Sequence, residues 1–127
     1  MINSRNIDDL TPEAKTKCLE FIEACKGEGI AVQIIQTLRD AEYQNSLYQQ
    51  GRNGDKRKTV TKCDGYKLKS RHQSGNAWDA VPLDEHGKIV WTNAATFRKM
   101  AEVATKLGIR AGYYFKMIDS PHFELVP

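Results

Sequence analysis

Apolar positions recur at helical spacing in two stretches of the chain. Ala14, Cys18, Phe21, Ile22 and Cys25 fall three or four positions apart and would share one helix face. Thr11-Pro12-Glu13 opens that helix: Thr11 offers a capping oxygen, Pro12 sits where a missing N–H is harmless, and Glu13 places an acid in the first turn. Gly27 and Gly29 end it. A second face, Phe97, Met100, Ala101, Ala104 and Leu107, follows a cap at Thr92 or Asn93 and closes at Gly108. Between these two, Asp40 to Gln50 reads as a further helix, capped by Asp40 and stopped by Gly51.

The β-branched run Ile30 to Gln36 predicts a strand. Ala77 to Val81 and Lys88 to Trp91, separated by a turn near Asp84 to Gly87, predict a hairpin. Ile109 to Phe115 and His122 to Val126 alternate as two more strands. Residues 52–69 carry no such period; the basic stretch Arg52 to Lys58 and the Asp64-Gly65 turn suit a lid or a substrate-facing edge. No repeat or low-complexity linker interrupts the pattern. The expectation is one α+β domain over residues 1–127, with about three helices and a small, mainly antiparallel sheet.

Composition narrows the class. A chain of 127 residues with 40% hydrophobic and 28% charged residues is an ordinary globular composition, with no tract resembling a membrane span. Its N-terminus, Met1 to Asp9, has neither the apolar run nor the cleavage site of a secretory signal, so the expected location is the cytoplasm. Net charge of +3 and a pI near 8.8 suit an anionic partner. No aromatic-and-basic motif of a nucleic-acid binder accompanies that charge. Three cysteines exclude a fully paired disulfide framework. Cys18 and Cys25, about 10 Å apart along one helix, lie beyond bridging range and read as buried thiols. Cys63, without a second cysteine nearby, is a free thiol and not part of a zinc knuckle.

Chemistry gathers at His72, Asp79 and His122, which are residue types that hold a catalytic zinc while leaving a position for water. The third histidine, His86, lies in a turn and reads as surface. Spacing alone does not single out the set; the surrounding text does. Ser70-Arg71-His72-Gln73-Ser74-Gly75-Asn76-Ala77-Trp78-Asp79 reads S-x-H-x-x-G-x-A-x-D, and Asp119-Ser120-Pro121-His122-Phe123-Glu124 reads D-x-x-H-x-E. Upstream, Arg39 to Arg52 reads R-x-x-x-x-Q-x-x-L-Y-x-x-G-R. In this order the three segments resemble the signature of the LAS-type zinc peptidases, which include D-Ala-D-Ala carboxypeptidases and phage L-alanyl-D-glutamate endopeptidases and share the hedgehog/DD-peptidase-like fold. The resemblance spans roughly residues 30–126.

That resemblance implies Zn2+ held by His72, Asp79 and His122, with Asp119 as the catalytic carboxylate and Arg39 binding substrate or steadying an oxyanion. Two plainer readings stay open: Asp119 as a turn residue before Ser120-Pro121, and Arg39 in a salt bridge with Glu42. Ser70 is expected to orient a ligand or its loop, Gly75 to permit a tight turn, and Glu124 to support His122 from the same strand face. The chain departs from the pattern at Arg110 to Lys116, where relatives often carry Gly-Gly-Asp-Trp. The tyrosines of that segment, Tyr113 and Tyr114, are expected in the core rather than against substrate. The implied function is peptidoglycan hydrolysis at the L-Ala-D-Glu bond by a phage or prophage endolysin, monomeric and held in the host cytoplasm until lysis, with neither nucleic acid nor membrane as partner. D-Ala-D-Ala hydrolysis and a non-catalytic zinc-stabilised binding module are the alternatives.

Overall fold

A computed structural model describes residues 1–127. Its three helices are α1 (Pro12–Gly27), α2 (Ala41–Gln49) and α3 (Ala94–Lys106), and its four strands β1 (Val32–Gln36), β2 (Ala77–Pro82), β3 (Ile109–Ala111) and β4 (His122–Leu125). The strands form one sheet in the order β1-β2-β4-β3, antiparallel throughout. The α+β class, the helix count and the small antiparallel sheet expected from the sequence are all present.

The helix ends follow local chemistry. Thr11 accepts from the Ala14 N–H, Asp40 from the Tyr43 N–H and Asn93 from the Thr96 N–H, so Asn93 rather than Thr92 caps α3. Both α1 and α3 cover one face of the sheet, and Phe21 brings its ring within 4.4 Å of Phe123 and 6.2 Å of Trp78, measured between centroids. Cys18 and Cys25 lie on the buried face of α1, where burial pushes each thiol up to about 12 and keeps it protonated. Strand alternation sorts β4: Phe123 and Leu125 join this core, while His122 and Glu124 point to the opposite face.

Two expected elements are corrected. The hairpin of β2 with Lys88 to Trp91 is absent, because β1 and β4 already occupy both edges of β2. Only a Leu83–Ile89 bridge remains after the turn, whose N–H groups at His86 and Lys88 are accepted by the Asp84 side chain. The strand expected over Ile109 to Phe115 stops at Ala111 and gives way to a 3-10 turn over Gly112–Tyr114, since the Gly112 carbonyl accepts from Phe115 and Asp119 instead of a neighbouring strand.

Truncating the central aromatic tests the packing. Phe21→Ala should lower stability by about 3–5 kcal/mol in urea unfolding. Leu19→Ala, on the solvent side of the same helix, should change it by no more than about 0.5 kcal/mol.

Candidate metal centre

Antiparallel pairing sets Asp79 of β2 directly opposite His122 of β4. The third member arrives from a 3-10 turn, Arg71–Ser74, that enters β2. Ser70 caps this turn by accepting from the His72 N–H, and Gln73 reaches back to the Ser70 N–H. Gly75 closes it at φ +74°, a left-handed conformation that glycine adopts without a Cβ penalty. One potential ligand atom from each of His72, Asp79 and His122 lies within 4.8 Å of the others.

The outward-facing nitrogens decide what those atoms are. His72 Nδ1 lies 2.8 Å from the Thr37 carbonyl oxygen, which can only accept, so this nitrogen carries the hydrogen. In the neutral ring Nε2 then carries the lone pair, and it lies 3.2 Å from Asp79 Oδ1. His122 repeats the logic with its ring reversed: Nε2 donates to Glu124 Oε1 at 2.8 Å, leaving Nδ1 at 3.5 Å from Asp79 Oδ1. One nitrogen of each imidazole thus converges on one carboxylate, able to offer a lone pair once an ion takes the place of its proton, and each ring is oriented from behind in the way metal-bound histidines are. The donor set fits Zn2+ with an open position.

Electrostatics agree with this use. Burial alone would raise Asp79, but hydrogen bonds and charge from His122 and His72 outweigh it and hold the carboxyl well below the usual range. Burial pulls His122 down, yet Asp79 and Glu124 prevail and raise it to about 9, so carboxylates surround a position that favours positive charge. A divalent ion would satisfy that demand without a proton.

The centre opens into a cleft of about 1090 Å³. Asp119 stands at its edge, more than half exposed, with Oδ2 4.0 Å from His122 Nδ1. Partial burial and the Asp79 charge push its pKa upward against the pull of His122, His72 and Arg39. The plainer reading of Asp119 is also present, in that its carbonyl accepts from the His122 N–H in the closing turn. The carboxylate is not consumed by that role. Arg39 does not pair with Glu42, whose partner is the N-terminal amine. Its Nη2 lies 3.4 Å from Asp79 Oδ2, Nε donates to Gln36 and Nη1 to Gln44, which leaves two of its five N–H groups for a bound molecule.

Several contributors escaped the sequence reading. Thr37 acts through a backbone carbonyl. Gln44, fully buried, joins Arg39 to the Cys63 carbonyl and Thr61, and so ties the cleft wall to the guanidinium. Arg71 donates from Nη2 to the Leu125 carbonyl and lies 3.7 Å from Glu124, bridging the two histidine-bearing segments. Gly112 packs so closely beneath the Asp119–His122 turn that an added Cβ would meet the Asp119 carbonyl oxygen and lie 2.9 Å from the His122 Cβ. Of the 52–69 stretch expected as a lid or a substrate-facing edge, residues 60–63 and 69 line the cleft as such an edge, while 52–58 do not. The two tyrosines also part company, Tyr113 packing on the core while Tyr114 is exposed in the cleft.

A two-histidine, one-aspartate centre in an open cleft on this sheet is the arrangement of a zinc peptidase, and comparison with known proteins gives the family. The sequence matches VanY, D-alanyl-D-alanine carboxypeptidase, over residues 8–124, and the chain belongs to that LAS-type zinc peptidase family. It is 30% identical to the peptidoglycan L-alanyl-D-glutamate endopeptidase CwlK of Bacillus subtilis (strain 168), covering 94% of this chain and 75% of that protein. Among solved structures, the L-Ala D-Glu endopeptidase ChiX of Serratia marcescens superposes with a TM-score of 0.70 at 20% identity, covering 98% of this chain and 89% of that one. The D,D-pentapeptidase VanY from a VanB-type resistance cassette, solved with Zn(II), gives 0.67 at 14% identity, covering 93% and 73%. These two likenesses concern the fold.

Crowding at Gly112 is open to test. Gly112→Ala should shift the Asp119 turn and lower peptidase turnover at least about tenfold, as a displacement of about an ångström beside the reacting atoms does. Far-UV circular dichroism should remain that of the parent.

Proposed function

We propose that this protein is a zinc-dependent peptidoglycan endopeptidase that hydrolyses the L-Ala-D-Glu bond of the stem peptide. One observation carries the reading: Nε2 of His72 and Nδ1 of His122 converge with the Asp79 carboxylate while Asp119 and Arg39 line the same cleft. The choice of bond is supported by the 30% identity to CwlK.

Zinc bound by His72, Asp79 and His122 would polarise the scissile carbonyl and acidify a water. In this mechanism Asp119 takes the proton from the attacking water and delivers it to the leaving amine, a role supported by its upward-shifted carboxyl at the cleft edge. Arg39 meets negative charge developing on the carbonyl oxygen with its two free N–H groups, and Gln36 and Gln44 hold the guanidinium so that little reorganisation is needed. Glu124 keeps His122 in the tautomer that presents Nδ1, and Thr37 does the same for His72 Nε2.

A second reading, hydrolysis of D-Ala-D-Ala, is favoured by the family's description. Mass spectrometry of digested peptidoglycan distinguishes the two: the first exposes new D-Glu amines, the second releases D-Ala. The same proposal includes the setting, a phage lysis enzyme that waits in the host cytoplasm. Expression in a bacterial host should then leave cells intact until the membrane is permeabilised and lyse them promptly afterwards.

Two outcomes are expected of the purified protein. It should carry about one zinc per chain, and chelation should abolish wall hydrolysis, with zinc restoring it. Asp119→Ala should keep the metal and lose at least about 10²-fold in kcat, as removal of a general acid-base does. Full activity of that variant would remove Asp119 from the mechanism, and loss of its zinc would remove the distinction between Asp119 and the ligands.

A further inference from the structure

After the internal pairings are taken into account, the cleft retains positive charge without a protein partner. Its lining holds six cations, Arg39, Lys62, Lys69, Arg71, Arg110 and Lys116, against the carboxylates of Asp79, Asp119 and Glu124. Arg39 is engaged by Asp79. Arg71 and Arg110 share Glu124 at 3.7 and 3.9 Å, and the other oxygen of Glu124 accepts from His122. The lysines that do form ion pairs, Lys15, Lys17 and Lys99, lie on α1 and α3 and do not line the cleft. Lys62 and Lys69 on one wall and Lys116 on the other therefore stand unmatched, and a divalent ion between the walls would strengthen their field. Charges of one sign lining a cleft with low-dielectric walls raise the local concentration of an oppositely charged substrate.

The chemistry of the bond supplies such a charge. In L-Ala-D-Glu, glutamate provides the amine; one of its two carboxyl groups continues the chain, and the other is spare. That spare group is an anion when free and neutral when converted to an amide. Acid and amide have nearly the same shape, so a pocket that tells them apart must read charge or hydrogen-bond donors, and an ammonium, which only donates, favours the acid on both counts. Lysine is suited to that: its ammonium is a flexible point charge that does not require a fixed approach.

We propose that Lys62, Lys69 and Lys116 read the spare carboxylate of the glutamate, making the enzyme selective for stem peptides that carry it free over stems that carry it as an amide. The inference rests on the L-Ala-D-Glu reading above. Each exposed pairing contributes roughly 1.4- to fivefold in affinity, and at about twofold each three together would give a preference of roughly tenfold.

The test uses two synthetic stem peptides containing L-Ala-D-Glu, identical and C-terminally amidated, that differ only in whether the spare carboxyl is acid or amide. Wild-type zinc protein should cut the acid with about tenfold higher kcat/KM, with the difference in KM and shrinking as salt screens it. In the Lys62→Gln/Lys69→Gln/Lys116→Gln protein the ratio should fall to within about twofold of unity. Binding of both peptides to zinc-loaded Asp119→Ala protein is measured in parallel, so the inference is decided even if neither peptide is cut. Equal affinity for acid and amide, or a preference that survives the triple replacement, overturns it. Charge-selective binding without cleavage of this bond would instead overturn the bond assignment and leave the lysine cleft standing.

Discussion

Everything at the centre depends on a register. Asp79 and His122 face one another because β2 and β4 pair antiparallel with these two residues as partners, and a slip of β4 by one position would turn His122 into the helical core and away from Asp79. That slip is opposed from the other face, where Trp78 and Phe123 are partners in the same ladder and pack on Phe21. Hydrophobic burial on one side of the sheet thus fixes the geometry of ligands on the other. The core is the cause, and the meeting of the three candidate ligands its consequence.

The third ligand and the two rings' orientations add a layer of polar control. His72 could rotate if only its backbone were positioned; the Thr37 carbonyl behind it prevents that. Thr37 is itself held by the N-terminal segment, its N–H donating to the Ser4 carbonyl and its hydroxyl to the Asn6 carbonyl. Residues far from the cleft in sequence thereby set which nitrogen faces it. On the opposite side, Glu124 holds His122 while Arg71 and Arg110 neutralise Glu124, so a buried carboxylate is kept charged beside a ring that must remain neutral toward a metal.

The motif residues were legible in the sequence because their chemistry lies in side chains at fixed offsets. Thr11, Asp40 and Asn93 as caps, Gly75 as a left-handed closure and Glu124 on the face of His122 follow from rules that act within a few residues. What the sequence hid acts at long range or through groups every residue possesses. The Thr37 carbonyl is invisible among 127 carbonyls, and Gln44 looks like any polar helix residue until its buried position between Arg39 and the 61–63 wall is known. Lys88 to Trp91 looked like a strand locally, and the reason it is not one lies in β4, more than thirty residues away. Gly112 misled for a related reason: the turn it permits beneath Asp119 ends an alternation that otherwise continues to Phe115.

The most direct measurement is the X-ray absorption spectrum of the zinc-loaded protein at the zinc edge. Two imidazole rings and otherwise oxygen at about 2.0–2.2 Å, with no sulfur, is the predicted first coordination sphere. A sulfur scatterer at about 2.3 Å, which would bring Cys63 into the site, or only one imidazole, would contradict a centre built from His72, Asp79 and His122.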